Sequence, residues 1–240
     1  MRLQVFLSHS GVCSRRRALD LVKQGCVVVN NQMVCEPSFE VNPEKDRVIL
    51  EGMPLEVKRY EYILFNKPKG VTTTKMDRFA ERTVMDFLPK ELKHLYPVGR
   101  LDKDTEGLLL LTNNGKLANS LMHPRFEVDK VYRAEVRGHL KENDKMRLQK
   151  GIILEGRRTA PCKIDQVVFG PDKTIFEITL HEGRKRQIRM MLISLGYPVI
   201  SLKRVEEGPI SLGDLPTGKW RKLTEEEITD LRTLGEKEVK

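Results

Sequence analysis

The stretch from Gly99 to Thr112 reads GRLDKDTEGLLLLT and joins an acidic loop to an uninterrupted apolar run. Leu108–Leu111 predict a strand in the protein core, because a short continuous apolar run bounded by turn signals is typical of a buried strand. Asp102 and Asp104 stand at the mouth of that strand, where burial and neighbouring charges can shift the pKa of a carboxyl group. The spacing alone leaves two interpretations open, a catalytic carboxylate and an ordinary turn of solvated acids.

Around this strand, further short strands mix with helices. Apolar patterning predicts strands at 62–65, 131–136, 167–169 and 175–180, and helices at 83–88, 116–122, 142–149, 187–195 and 225–234. Because the order lacks a strict βαβ period, we expect an α+β fold with a mainly antiparallel mixed sheet flanked by helices.

Residues 1–58 are expected to form a small domain of their own. Apolar residues at helical spacing predict a short first helix and a second helix over 15–24, with Ser14 as its N-cap. Asn30-Asn31 stands between two apolar runs and tolerates positive φ, which predicts a tight hairpin of two strands. The expected unit is therefore a helical hairpin followed by short strands.

The composition indicates an ordinary globular protein with an anionic partner. The chain has 43 Lys and Arg against 34 Asp and Glu, a net charge of +9, with 39% hydrophobic and 32% charged residues. Disordered, fibrous and membrane classes do not fit these values. Runs such as Leu108–Leu111 fall far short of the roughly 20 apolar residues that span a bilayer, and we expect a cytoplasmic protein. Nucleic acid is the commonest anionic partner of such a basic protein.

Three consecutive arginines, Arg15, Arg16 and Arg17, begin the second predicted helix. They either contact RNA phosphates or form a solvated helix face. We favour RNA contact, because the order of helix, Ser-Arg-Arg-x-Ala helix, Gly, strand, Asn turn and strand over residues 2–55 resembles the small RNA-binding domain named after ribosomal protein S-four.

The cysteines show no metal-binding spacing. They stand at 13, 26, 35 and 162, without a CxxC pair or a matching His pattern. We expect reduced thiols and no metal site.

The motif at 99–112 resembles the central motif of the pseudouridine synthases, in the branch that modifies ribosomal RNA and carries the S-four-type domain. Further segments agree in the same order: NKPKG at 66–70, KVY at 130–132 and EGRKRQIR at 182–189. The resemblance covers nearly the whole chain and implies a catalytic domain over 59–240. It implies no cofactor, because uridine isomerisation needs no redox step, energy donor or metal.

The resemblance assigns three catalytic residues. Asp102 would be the essential carboxylate, acting either as a nucleophile or as a base that takes a sugar proton. Arg189 would pair with Asp102, keeping it ionised and oriented. Tyr132 would stack on the flipped uracil. Asp104 is interpreted as structural.

The remaining basic residues of the motifs are expected to contact RNA or to support the site: Arg15, Arg16, Arg17, Lys67, Arg100, Lys130, Arg184, Lys185 and Arg186. For Lys130 a role in positioning its strand is the alternative. The chain departs from many relatives at Met190 and at Glu206-Glu207, where we expect altered RNA contacts.

The sequence thus predicts a monomeric ribosomal RNA pseudouridine synthase acting on a hairpin loop from which the target uridine is flipped out. Large-subunit RNA is preferred over small-subunit RNA, because the pattern from Gly208 to Trp220 resembles that subgroup. A non-catalytic rRNA-binding or ribosome-assembly protein on the same fold is the alternative. A carboxylate glycosidase is less favoured, because no partner acid is evident.

Overall fold

The computed structural model describes residues 1–236, which divide into two compact units, Met1–Tyr60 and a second unit from Glu61 onward. None of the helices in these residues is long and apolar enough to cross a bilayer.

The first unit contains two helices and a four-stranded antiparallel sheet of order β2-β1-β3-β4. The elements are α1 (Leu3–His9), α2 (Arg15–Lys23), β1 (Val27–Val29), β2 (Gln32–Met33), β3 (Val48–Leu50) and β4 (Met53–Leu55). The Ser14 side chain accepts a hydrogen bond from the Arg17 backbone N–H, which confirms the predicted N-cap. Asn30 and Asn31 have φ of 48° and 69°, which confirms the predicted turn. Strand β4 was not predicted.

The second unit is built on a nine-stranded mixed sheet. Its strands are β5 (Tyr62–Lys67), β6 (Tyr96–Pro97), β7 (Glu106–Thr112), β8 (Lys130–Arg137), β11 (Lys163–Phe169), β12 (Lys173–Leu180), β13 (Val199–Glu207), β14 (Ile210–Ser211) and β15 (Trp220–Lys222), while β9 (Ile153–Leu154) and β10 (Arg157–Arg158) form a separate hairpin. The order is β11-β12-β8-β13-β7-β5-β15, with β14 on β13 and β6 on β7. Within residues 1–236, β13 and β7 form the only parallel pair of strands in this sheet, which confirms the predicted mainly antiparallel sheet.

Helices flank this sheet as expected. They are α3 (Gly115–Met122), α4 (Glu142–Gln149), α5 (Gln187–Ser194) and α6 (Glu225–Glu236), with short 3-10 helices at Val84–Phe87, Lys90–Leu92 and Pro124–Phe126. The segment predicted as a helix at 83–88 is the first of these 3-10 turns.

Strand β7 is buried on both faces, as its leucine run predicts. Leu108 and Leu110 pack in a cluster with residues of α3 and α6, while Leu109 and Leu111 pack in a second cluster beneath the 3-10 turns. Since successive side chains of a strand point to opposite faces, a strand covered on both sides must be apolar throughout. The loop that carries Asp102 therefore leads directly into a strand whose leucines are buried on both faces.

Strand β13 was missed by the sequence analysis although it lies between β8 and β7 in the sheet. Its charged residues, among them Arg204 and Glu207, resemble a surface segment, yet these two side chains are buried. Its close approach to β7 requires Gly107, whose φ is +101° and where a Cβ atom would collide with the backbone of Arg204.

Candidate active site

A cleft of about 620 Å³ lies at the start of β7. Asp102 on the loop before β7 and Tyr132 on β8 both line it, so the fold brings together two predicted residues that are 30 positions apart in the chain. Arg100, Arg184, Lys185 and Arg186 line it as well. The cleft therefore combines one carboxylate, one aromatic ring and several cations.

The Asp102 carboxylate is half-buried and faces this cleft. Within residues 1–236 it makes no hydrogen bond and no ion pair, whereas its backbone carbonyl accepts a 3.1 Å hydrogen bond from the Lys67 ammonium. A carboxylate without a partner keeps its lone pairs available to a bound molecule, as a nucleophile or a general base requires.

Lys67 is fully buried, which corrects its predicted role in RNA binding. Its ammonium donates to backbone carbonyls around the Asp102 loop, at 3.1 Å to Pro68, 3.1 Å to Asp102 and 2.8 Å to Thr105. Burial lowers the pKa of Lys67 to about 8, although Asp104 and other nearby carboxylates oppose this shift. An RNA phosphate cannot reach this ammonium, which instead holds the loop in place.

Arg189 pairs with Asp104 rather than with Asp102, which corrects the predicted ion pair. Its Nε lies 3.3 Å from the Asp104 carboxylate, and its Nη2 donates a 2.7 Å hydrogen bond to the Asp104 carbonyl. Arg186 binds the same carboxylate through two hydrogen bonds of 2.9 Å. These bonds to Arg186, with the charge of Arg189, lower the pKa of Asp104.

The two arginines reach Asp104 because of where α5 begins. Arg186 precedes this helix with φ of 53°, and Arg189 lies in its first turn. Because the start of α5 places Arg186 and Arg189 near one another, both side chains bind the carboxylate of Asp104 on the opposite loop. Asp104 was interpreted as structural, and its contacts are those of a link between the loop and α5.

Tyr132 is half-buried beside a buried ion pair. Arg204 and Glu207 are 2% and 1% exposed, and their side chains approach to 3.1 Å. Burial raises the pKa of the Tyr132 hydroxyl, and the neighbouring Arg204 guanidinium opposes this shift. The hydroxyl is therefore neutral near pH 7. Glu207 was expected to alter RNA contacts, but its side chain is buried in the ion pair with Arg204.

Lys130 points into the protein. Its ammonium donates to the carbonyls of Val128 at 3.0 Å and Leu121 at 3.4 Å, and burial lowers its pKa. These contacts favour the alternative in which Lys130 positions its strand over direct contact with RNA.

The loop 182–186 is shaped by buried Gln187, which sequence reasoning did not single out. The Gln187 side chain accepts a 3.0 Å hydrogen bond from the Arg184 backbone and donates to the Glu182 carboxylate. The Arg184 guanidinium donates to the carbonyls of Arg157 and Arg158 and pairs with Glu182 at 3.3 Å. Arg184 is thus engaged within the protein, whereas Lys185 is exposed with no hydrogen bond or ion pair to the described residues.

In the first unit, Arg15, Arg16 and Arg17 are all exposed on the first turn of α2. Arg100 of the second unit is exposed at the cleft. These four cations are accessible to an anionic ligand. In residues 1–236, no cluster of three or more His, Cys, Asp or Glu could hold a metal ion.

Comparisons with known proteins agree along the whole chain. The family described as RNA pseudouridylate synthase matches residues 61–194, and the S4 domain matches residues 1–48. The chain is 42% identical over 237 residues to the "Ribosomal large subunit pseudouridine synthase B" of Bacillus subtilis (strain 168), covering 98% of this chain and 97% of that protein.

A second relative and a solved structure extend the similarity. An "Uncharacterized RNA pseudouridine synthase" of Aquifex aeolicus (strain VF5) is 41% identical over 233 residues, covering 96% of this chain and 93% of the relative. A crystal structure of a pseudouridylate synthase superimposes with a TM-score of 0.68 at 29% identity, covering 96% of this chain and 99% of the other.

Proposed function

This chain belongs to the RNA pseudouridylate synthase family, and from that premise we propose that it isomerises a specific uridine of ribosomal RNA, in the large subunit rather than the small. The observation that carries the proposal is the Asp102 carboxylate, which faces the cleft beside Tyr132 without a partner among the described residues.

The reaction rearranges the uridine without adding atoms to it. The bond between uracil N1 and the sugar C1′ breaks, the uracil turns over, and C5 joins C1′; C5 loses a proton and N1 gains one. Asp102 acts on the ribose or the base as a nucleophile, or it takes a sugar proton as a base. Tyr132 stacks on the uracil. The chemistry requires no cofactor.

The target uridine is flipped out of its stack before it reacts, because the carboxylate must reach the sugar and the ring must rotate. Flipping costs a few kcal/mol and costs least in a hairpin loop. Phosphate contacts of the exposed cations offset this cost. Residues 1–58 supply such contacts through Arg15, Arg16 and Arg17, and residues 59–240 supply the chemistry together with Arg100 and Lys185. We expect the enzyme to act as a monomer in the cytoplasm, where ribosomal RNA is found.

Two observations support the large subunit. The Bacillus subtilis relative carries that assignment in its name, and the segment from Gly208 to Trp220 resembles the same subgroup. A non-catalytic rRNA-binding protein on this fold is the alternative, and the unpaired Asp102 argues against it.

The test is to map pseudouridine at single-nucleotide resolution in the rRNA of cells that lack this protein. We expect one large-subunit site to be lost and to return with the wild-type chain. Asp102→Asn should not restore it, because the amide is isosteric but serves neither as nucleophile nor as base. The matched control is Asp172→Asn, an exposed acid on the turn before β12.

Loss of a small-subunit site would reject the subunit assignment. Restoration by Asp102→Asn would reject the catalytic role of Asp102. An rRNA modification pattern identical with and without the protein would reject the proposed function.

A further inference from the structure

A groove of about 450 Å³ lies beside the cleft and shares three lining residues with it, Arg184, Lys185 and Gln187. Its far wall is the β9-β10 hairpin, which turns through Glu155 and Gly156 at positive φ and presents Arg157. None of the sequence motifs described above includes this hairpin. The groove therefore continues the cleft onto a part of the surface without an assigned role.

Arg184 braces the hairpin against the loop 182–186. It donates from Nη1 to the carbonyl of Arg157 at 3.4 Å and from Nη2 to the carbonyl of Arg158 at 2.6 Å. Its Nε pairs with Glu182, whose carboxylate also accepts from the Ala160 backbone at 2.8 Å. The Arg184 guanidinium thus joins the two walls of the groove. Its nitrogens are engaged in these contacts within the protein.

The bracing leaves one free cation on each wall. The Arg157 and Lys185 side chains are exposed, line the groove, and make no hydrogen bond or ion pair with the described residues. The other arginine of β10, Arg158, differs because its guanidinium donates to the Gly151 carbonyl at 3.2 Å. Glu155 is the groove's acidic residue and stands at the hairpin turn.

Two cations flanking a groove that opens from an RNA-modifying cleft match the chemistry of a phosphodiester chain. Cationic side chains that neutralise phosphates release condensed counterions, which supplies much of the affinity for nucleic acid. A uridine held in the cleft is linked on both sides to further nucleotides, and one of these strands needs a path away from Asp102.

We propose that this groove binds the backbone of the substrate RNA where it leaves the cleft, with Arg157 and Lys185 as its phosphate contacts and Arg184 as the brace between them. The inference rests on the proposed function, since it concerns the same RNA.

The test is the salt dependence of binding to an rRNA stem-loop that contains the target uridine. Each lost phosphate contact reduces the slope of log affinity against log salt by roughly 0.7–0.9. Arg157→Gln and Lys185→Gln should each reduce the slope by this amount, and the double variant should reduce it by about 1.4–1.8. Arg137→Gln is the charge-matched control, because it is exposed at the opposite end of the strand that carries Tyr132. Its slope should equal that of the wild type.

A second arm shortens the RNA to the target nucleotide and its immediate neighbours. If the groove holds the departing strand, the loss of affinity in Arg157→Gln should disappear with the short RNA. Equal weakening of short and long RNAs, or equal slopes for the wild type and the double variant, would overturn the inference. Wild-type turnover on the same stem-loop separates the two claims: a lack of pseudouridine rejects the proposed function, whereas turnover with unchanged slopes rejects only the groove.

Discussion

Arg189 is bound to Asp104, with Nε 3.3 Å from the carboxylate and Nη2 2.7 Å from the backbone carbonyl, and this contact joins α5 to the loop of Asp102. Arg189 therefore contacts the loop at a position two residues away from the proposed catalytic carboxylate. Burial lowers the pKa of the Arg189 guanidinium, while the charges of Asp104 and Asp102 oppose that shift.

A double-mutant cycle tests this link. Arg189→Ala and Asp104→Asn should each lower kcat more than RNA affinity, because the loop loses its hold on α5. The double variant should be little worse than Arg189→Ala alone, with a coupling of about 0.5–3 kcal/mol, as is typical of residues in contact. Single-turnover rates at saturating RNA supply the measurement. Strictly additive losses would show that Arg189 acts on Asp102 independently of Asp104.

Tyr132 has two proposed duties, and two substitutions separate them. Tyr132→Phe keeps the ring and should retain RNA affinity, with turnover falling only if the hydroxyl assists proton movement at C5. Tyr132→Ala also removes the stacking surface, at a cost of roughly 1–3 kcal/mol in kcat/KM. Full turnover and binding in the alanine variant would refute the assignment.

The lowered pKa of Lys67 predicts how the stability of the protein changes with pH. The folded pKa of Lys67, about 8, lies below the ordinary lysine value of 10.5, so between these values the unfolded chain binds more protons than the folded one. The free energy of unfolding contributed by Lys67 therefore rises with pH across this window, on the order of 3 kcal/mol in total.

Urea denaturation from pH 7 to 10.5 measures this contribution as the difference in the free energy of unfolding between the wild type and Lys67→Met. The exposed neighbour Lys69 is the matched control, and Lys69→Met should show no such trend. A flat difference for Lys67→Met would mean that the buried ammonium keeps an ordinary pKa.

Glu207 and its neighbour Glu206 offer a second matched pair. Glu207→Leu leaves the buried Arg204 charge without its partner and should lower the free energy of unfolding by about 3–5 kcal/mol. Glu206 is exposed, and Glu206→Leu should change it by no more than about 0.5 kcal/mol. Chemical denaturation measures both changes. Similar small effects of the two substitutions would contradict a stabilising role for the Arg204–Glu207 ion pair.

The arginines of α2 should contribute affinity without chemistry. Replacing Arg15, Arg16 and Arg17 together by Ala should reduce the salt slope of RNA binding by about one to three units, while turnover at saturating RNA persists. Slopes identical to the wild type would show that these three arginines form only a solvated helix face.

Local patterns predicted the elements that local physics controls. Helix α4 has the predicted bounds, and the Asn30-Asn31 turn forms with the expected positive φ. The leucines of β7 indicated a buried strand, because no other placement removes such a run from water. Strand β13 escaped prediction because its charged residues resemble a surface segment, whereas Arg204 and Glu207 are buried by contacts that a local sequence pattern does not reveal. Arg204, for example, donates from Nε to the Leu108 carbonyl at 2.8 Å.

The motif residues carry the resemblance to the pseudouridine synthases. That resemblance predicted the fold class and the reaction. Their partners were decided by the tertiary structure alone. Lys67 and Arg186 are both cations in family motifs, yet the first is buried among carbonyls and the second binds Asp104 at the surface. A sequence specifies which charges exist, but whether a charge meets RNA, a carboxylate or a backbone carbonyl depends on which segments pack beside it. That packing removes water from some ionic groups and leaves others solvated, and the cost of desolvation then selects their partners.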